Sequence, residues 1–508
     1  MIECERKILG LEALAGMLRK YERQGRSVVH CHGCFDLLHP GHLRYLKAAR
    51  EMGDLLVVTL TPDRYVDKGP GRPVYNQQLR AECLAALEFV DFVAINDWAT
   101  AEQTIRLIRP RYFVKGQEFE GKPDQTGKLE REITVLQEVG AELRFTHEIV
   151  FSSSKLLNNE FGLLSPELKE YLASVRSPNG SAELEALFER IKSLRVGVIG
   201  DAIIDEYHFV QPLGMSSKAT MPTSRYLHSE KGAGGALCIA NHLASFCSNV
   251  RLVTCLGADD SQESFILGAL NRDIDFRHCV QPKRVTVTKR RYVGKALHEK
   301  LFEVQYLQDE TMDRETEDRL GRLIDAVIKD SEMIILADFG HGIMTPRLMK
   351  EVTRKAKFLV LSVQTNSANQ GFNYLTKYSK AHYVVANERE ARLACQARSE
   401  ALDAVAKRIL SKMGCDRLSI TLGRGGSRIY SKNEGSVTAP IVSDAMVDTI
   451  GAGDAFLALS APACYLKSSL HLSALLGNVA GAFAANVLGN SQAIRASEYL
   501  KFVEGLLK

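Results

Sequence analysis

From residue 27 onward, short apolar runs alternate with longer stretches whose apolar residues recur every three or four positions. The short runs are SVVHCHG (27–33), DLLVVTL (54–60), VDFVAIN (90–96), RYFVKG (111–116) and AELRFTH (141–147). Strands separated by helices in this way predict βαβ units and a parallel sheet. This block ends near residue 165. Two helical patches follow, flanking the breaker run Ser177-Pro178-Asn179-Gly180-Ser181, which reads as an interdomain linker. At Arg195 the strand RVGVIGD restarts the alternation, which continues through MIILADF, FLVLSV, HYVVANE and RLSITLG. The expected fold class is α/β in two domains, 1–165 and 193–508, joined by a linker over 166–192. Around 206–230 and 283–306 the alternation is that of solvent-facing antiparallel strands, clearest in RVTVTKRRYVGK, and predicts a small lid sheet over the second domain. There is no internal repeat, and the halves are not copies of one another.

Composition narrows the function classes. A chain of 508 residues exceeds the size at which one core keeps growing, which agrees with two domains. The 65 basic and 61 acidic residues are interspersed, so neither a nucleic-acid nor a membrane footprint stands out. The 11 cysteines are scattered and odd in number, which fits buried thiols in a reducing compartment better than a disulfide framework. MIECERKILGLEALAGMLRK interleaves charge with its apolar residues, unlike a signal peptide, and no run approaches a membrane span. A cytoplasmic protein is expected, and small anionic substrates stay open.

The first chemistry-bearing motif follows the first strand: His32-Gly33-Cys34-Phe35-Asp36-Leu37-Leu38-His39-Pro40-Gly41-His42, then the amphipathic LRYLKAAREMG. Both His39 and His42 fall at a helix start, where unpaired backbone N–H groups and the dipole favour an anion. Nucleotidyl transfer develops charge on phosphoryl oxygens and on pyrophosphate, so it needs fixed donors, which two imidazoles beside a glycine supply. Cys31 and Cys34 with the nearby histidines could also hold zinc, but a single CxxC is weak grounds for a metal.

This constellation resembles the HxGH motif of the cytidylyltransferase-like nucleotidyltransferase superfamily. Gly71-Arg72-Pro73 is similar to that family's loop after the second strand, Val114-Lys115-Gly116 to its VKG strand end, and Ser152-Ser153-Ser154-Lys155 to its phosphate-binding turn, although Asn158 stands where the family has arginine. The resemblance implies a Rossmann-like domain with catalytic His39 and His42, and nucleotide contacts from Cys34, Phe35, Asp36, Gly41, Arg72, Lys115, Ser152, Ser153 and Ser154.

The second motif is Asp448-Thr449-Ile450-Gly451-Ala452-Gly453-Asp454, ahead of a helix of small residues. Glycines let backbone N–H groups converge on an anion, and a carboxylate one residue later can accept a proton from an attacking hydroxyl. DTxGAGD resembles the signature of the ribokinase-like (PfkB) sugar kinases. That resemblance implies Asp454 as base and Gly451, Ala452 and Gly453 as an anion hole. It also implies nucleotide contacts from Thr421, Gly423 and Gly426 and a magnesium-associated NxxE element in Asn387 and Glu390. Acceptor contacts would come from Asp205, Gly234 and Gly235. Cys238 stands where the family carries a sugar-binding asparagine, with Asn241 one helical turn further on as a substitute.

Kinase and nucleotidyltransferase on one chain resemble the bifunctional heptose 7-phosphate kinase/heptose 1-phosphate adenylyltransferases, with the domain order swapped. The resemblance implies synthesis of an ADP-linked sugar from a sugar phosphate and nucleoside triphosphates, with Mg²⁺, ATP as phosphoryl donor, and ATP or CTP as the second nucleotide. A homo-oligomer, a dimer in the first instance, is expected. The alternatives are the same two reactions on another sugar or polyol with CTP, or one domain silent and serving as a binding module.

Overall fold

The computed structural model describes residues 6–66, 72–117, 128–146, 164–177, 180–294, 299–308, 311–444 and 446–507. It falls into two units, one comprising residues up to Ser165 with the stretch Leu500–Leu506, the other Pro166–Tyr499 with Leu507. Among the described residues no helix is long and apolar enough to cross a membrane.

Among its described residues the first unit contains five strands: β1 (Val28–Gly33), β2 (Leu55–Leu60), β3 (Phe92–Ile95), β4 (Tyr112–Gly116) and β5 (Glu142–Thr146). They form one parallel sheet in the order β3-β2-β1-β4-β5. Helices cover both faces, which is why β2 is buried at every position and LLVVTL reads as a continuous apolar run. The strand order reverses between β1 and β4. In open α/β sheets the crevice beyond the carboxyl ends at that switch point takes the ligand. Here those ends carry the loop from Gly33 to His42 and the pair Lys115-Gly116.

The second unit is built on a nine-stranded sheet. Its strands are β6 (Arg195–Gly200), β9 (Asn249–Gly257), β10 (Asp275–Gln281), β13 (Met333–Asp338), β14 (Leu359–Val363), β15 (Tyr383–Asn387), β16 (Arg417–Thr421), β17 (Ser427–Ser431) and β18 (Gly435–Ala439). The order is β10-β9-β6-β13-β14-β15-β16-β17-β18, with parallel pairing through β16 and antiparallel pairing of β16 with β17 and of β17 with β18. The expected lid is a four-stranded sheet in the order β12-β11-β7-β8, made of β7 (Ala202–Met215), β8 (Pro222–Gly235), β11 (Val287–Gly294) and β12 (Lys300–Tyr306). The lid is not wholly antiparallel as expected: β7 and β11 pair in parallel. Each continues out of a parallel strand of the large sheet, β7 from β6 and β11 from β10, so both leave it in the same direction. The segment read as a linker, 166–192, carries the helices Pro166–Val175 and Gly180–Ser193, and both fall within the second unit. Leu168 and Leu172 of the first are buried, and the Tyr171 hydroxyl donates to the His471 carbonyl at 2.5 Å.

Candidate active sites

In the first unit, the helix Pro40–Arg50 begins with His39 as its cap, whose Nδ1 accepts from His42 N–H at 3.3 Å. Proline at the first helical position loses nothing, because its missing N–H would have had no intrahelical partner. The two imidazoles stack with centroids 3.9 Å apart, and His42 Nδ1 lies 3.1 Å from the Leu37 carbonyl. These contacts fix the tautomers. Neutral His39 carries its proton on Nε2, whereas His42 carries it on Nδ1 and becomes a donor at Nε2 only on protonation. Phe35 stands edge-on to His42.

Asp36 is fully buried and accepts from Arg72 Nη1 at 2.8 Å and from Val74 N–H at 2.6 Å, so its carboxylate ties the following loop to the histidine loop. Lys115, at the end of β4, pairs with Glu132 at 2.9 Å, and Gly41 is buried in the first helical turn. Gly71 and Ser152, Ser153 and Ser154 lie outside the described residues. His30 and Cys31 of β1 belong to the sheet interior: burial holds His30 neutral, down to about 3, and pushes the Cys31 thiol up to about 12. Motif reading missed Arg80. Its guanidinium is fully buried and donates to the carbonyls of Tyr75 (3.0 Å), Cys34 (2.5 Å) and Thr61 (2.8 Å) and to Asp63 (2.6 Å). One planar fork thus joins three chain segments around the histidine loop. An arginine inside the helix QQLRAECLA gave no motif signal.

The second unit holds a cavity of about 900 Å³ reached by residues of both its sheets. Gly451, Ala452, Gly453 and Asp454 line it at the start of the helix Ala452–Tyr465, with Gly451 at φ 81°, a backbone conformation that favours glycine. Asp454 is 7% exposed and, among the described residues, accepts no hydrogen bond. Burial first, and then the nearby Asp205, push its carboxyl up to about 8, while Lys289 opposes the rise.

Thr421, Gly423 and Gly426 line the same cavity, as does Asn387. Glu390 does not. Its carboxylate accepts from Asn387 N–H at 2.8 Å and Thr365 N–H at 3.3 Å, completing a capping box with Asn387 at the start of the helix Glu388–Cys395. Burial raises it to about 7.

Asp205, on the lid strand β7, is held by Arg291 (2.6 Å) and by Asn490 Nδ2 (2.8 Å). Gly234 makes room for it: a Cβ there would overlap the Asp205 carboxylate, and Gly235 lines the cavity itself. Asn241 is not part of the site. Its side chain donates to the Ala269 carbonyl (3.0 Å) and accepts from Asn271 N–H (2.9 Å), serving the turn after the helix Glu263–Ala269. Cys238 is buried, and its thiol is raised by burial and then by Asp454 and Asp205.

The cavity residues not singled out as site residues from sequence include Lys289, Arg291, Lys300, Asp448 and Asn490. Lys289 and Arg291 alternate along β11, a strand whose charge made it read as solvent-facing. Lys300 binds Asp448 at 2.5 Å; despite burial, that ammonium and the Ile450 N–H hold the Asp448 carboxyl below its usual range. Asn490, in the segment after the helix Leu470–Ala485, carries no motif.

Family models match both units. One for the pfkB family carbohydrate kinase covers residues 194–496, and one for the Cytidylyltransferase-like family covers residues 30–159. Among curated relatives, the bifunctional protein HldE of Campylobacter fetus is 44% identical over 134 residues, 26% of this chain and 28% of that protein. The protein of the same description from Trichlorobacter lovleyi is 28% identical over 314 residues, 61% of this chain and 62% of its own length. The chain therefore spans less than two thirds of the curated relatives it matches. Among solved structures, Escherichia coli phosphofructokinase-2 in complex with potassium is 14% identical with a TM-score of 0.51, covering 62% of this chain and 100% of that one, which shows the fold of the second unit.

Proposed function

Given that the chain belongs to the pfkB family of carbohydrate kinases and carries a cytidylyltransferase-like domain ahead of it, we propose that it is a bifunctional enzyme that phosphorylates a sugar phosphate and transfers an adenylyl group to a sugar 1-phosphate. The sugar is D-glycero-D-manno-heptose 7-phosphate, phosphorylated at O1, and the final products are ADP-heptose and pyrophosphate. The first product carries two phosphates, so a hydrolytic step that removes the 7-phosphate lies between the two reactions. The enzyme works in the cytoplasm. As a homodimer it would cover apolar residues that the lid leaves exposed, among them Leu213, Met215 and Phe302.

The observation that carries this reading is Asp454: a buried, unpartnered carboxylate at a helix start, facing the cavity that Asp205 also lines. In the kinase reaction Asp454 takes the proton of the acceptor hydroxyl, whose oxygen attacks the γ-phosphorus of ATP, and ADP leaves. The N–H groups of Ala452 and Gly453 hold the oxygens of the transferring group. The Asn387 Oδ1 accepts from Glu390 N–H and the Glu390 carboxylate is committed to the same cap, so a magnesium ion near Asn387 would be held mainly by nucleotide phosphates and water and would neutralise phosphate charge. In the transferase reaction an oxygen of the sugar 1-phosphate attacks the α-phosphorus and pyrophosphate leaves. His39 donates from Nε2, and His42 does so when protonated.

Purified protein with Mg²⁺, ATP, CTP and a panel of sugar phosphates, followed by mass spectrometry, tests the reading. Heptose 1,7-bisphosphate from heptose 7-phosphate, and ADP-heptose from heptose 1-phosphate, are the expected products. Cys238 in place of the usual asparagine favours a second reading, another sugar or polyol coupled to CTP. A CDP-linked product would establish it in place of the first.

A further inference from the structure

An ammonium taken out of water is costly unless something negative meets it. In the kinase cavity Lys300 is met by Asp448 (2.5 Å), and Arg291 by Asp205 (2.6 Å) and Glu303 (2.8 Å). Lys289 lines the same cavity and is only 8% exposed, yet among the described residues it makes neither a hydrogen bond nor an ion pair. It stands beside Asp205 in the register of β11 and β7, but the two oxygens of Asp205 are taken by Arg291 and Asn490. Burial holds the Lys289 ammonium below its ordinary range, with Asp205 and Glu303 opposing that.

Position indicates which anion is missing. Lys289 comes from the lid sheet, the wall that also supplies Asp205. The donors suited to a nucleotide come from loops of the other sheet, Gly423 to Gly426 and Gly451 to Gly453, where an exposed Arg424, unpaired among the described residues, also faces the cavity. A neutral sugar beside Asp205 would leave the ammonium unmet, whereas a phosphate monoester would meet it with a charge-assisted hydrogen bond. We propose that Lys289 holds the phosphate already present on the acceptor, so that the kinase half selects sugar phosphates over free sugars; this rests on the kinase reading above.

The full chain is assayed with ATP and heptose 7-phosphate, or with whichever sugar phosphate the product screen identifies, as wild type, Lys289→Met and Lys289→Arg. The methionine variant is expected to raise KM for the sugar phosphate roughly 10- to 100-fold, with KM for ATP and kcat within about threefold, and arginine to restore most of the loss. A fall in kcat at unchanged acceptor KM would mean that the ammonium serves the transferred phosphoryl group, which overturns the proposal, as would equal turnover of the free sugar by the wild type. A second readout needs no turnover: millimolar inorganic phosphate should raise the melting temperature of the wild type and not of Lys289→Met. That variant alone should melt no lower than the wild type, because an unpaired buried charge has been removed. Equal phosphate shifts in both proteins would overturn the anion site. A phosphate shift confined to the wild type, with no turnover of any acceptor, would count against the kinase reading while supporting the site.

Discussion

Asn490 and Asp205 join the two walls of the kinase cavity: the Asn490 Nδ2 donates to the Asp205 carboxylate at 2.8 Å, while its Oδ1 packs where a Cβ on Gly451 would sit. The proposed anion hole and the carboxylate proposed to bind the acceptor therefore share one amide. Gly451→Ala should cost about 1–2 kcal/mol in backbone strain at φ 81° and displace that amide. Kinase kcat should fall on the order of 10²-fold. Asn490→Ala should reproduce much of the activity loss with less of the stability loss, read from thermal melts beside kinase rates.

The raised carboxyl of Asp454 makes a pH prediction with two readouts. A base that is ionised only above about 8 gives kinase kcat/KM that falls tenfold per unit as pH drops below that value. For stability, a folded-state value above the unfolded one means that the folded chain binds the extra proton between about 4 and 8. Stability contributed by that proton is present at low pH and lost as pH rises toward 8. Asp454→Asn should therefore gain melting temperature over the wild type as pH rises from 5 to 8. A constant difference across that range would remove the assigned shift.

Arg80 is proposed to position the histidine loop of the first unit. Lysine keeps the charge but cannot reach the carbonyls of Cys34, Thr61 and Tyr75 together. Arg80→Lys should destabilise the first unit by about 2 kcal/mol, through carbonyls left unmet, and lower adenylyl transfer at least tenfold. Kinase turnover on the same preparation should be unchanged.

Asn241→Ala separates the observed role of that residue from the one its position suggested. Its side chain braces the turn at 269–271 by two hydrogen bonds, so the expected loss is about 1–2 kcal/mol of stability with an unchanged acceptor KM. A several-fold rise in KM without loss of stability would return Asn241 to the site.

The contrast between Asp454 and Asn490 shows what was legible in the sequence. Asp454 sits in a contiguous motif at a helix start, and local chemistry sufficed to single out a residue that lines the cavity. The βαβ alternation was legible for the same reason: buried parallel strands such as LLVVTL are continuous apolar runs. Asn490 becomes functional only because the chain after the helix Leu470–Ala485 returns to the lid, a tertiary fact with no local signal. Lys289 and Arg291 were hidden differently. Charge at alternate strand positions reads as solvent exposure, yet here both side chains are buried and line the cavity. Glu390 and Asn241 do not line the cavity, and their side chains are engaged as a cap and a brace, roles asparagine and glutamate often take near helix starts and turns.

The most direct test of two chemistries on one chain compares wild type, Asp454→Asn and His42→Ala, each given ATP and Mg²⁺ with heptose 7-phosphate in one vessel and heptose 1-phosphate in another, with products read by phosphorus NMR. Asp454→Asn should lose the bisphosphate and still make ADP-heptose, while His42→Ala should do the opposite. If neither substitution affects its own reaction, or if one substitution abolishes both, the assignment of one reaction to each unit is contradicted.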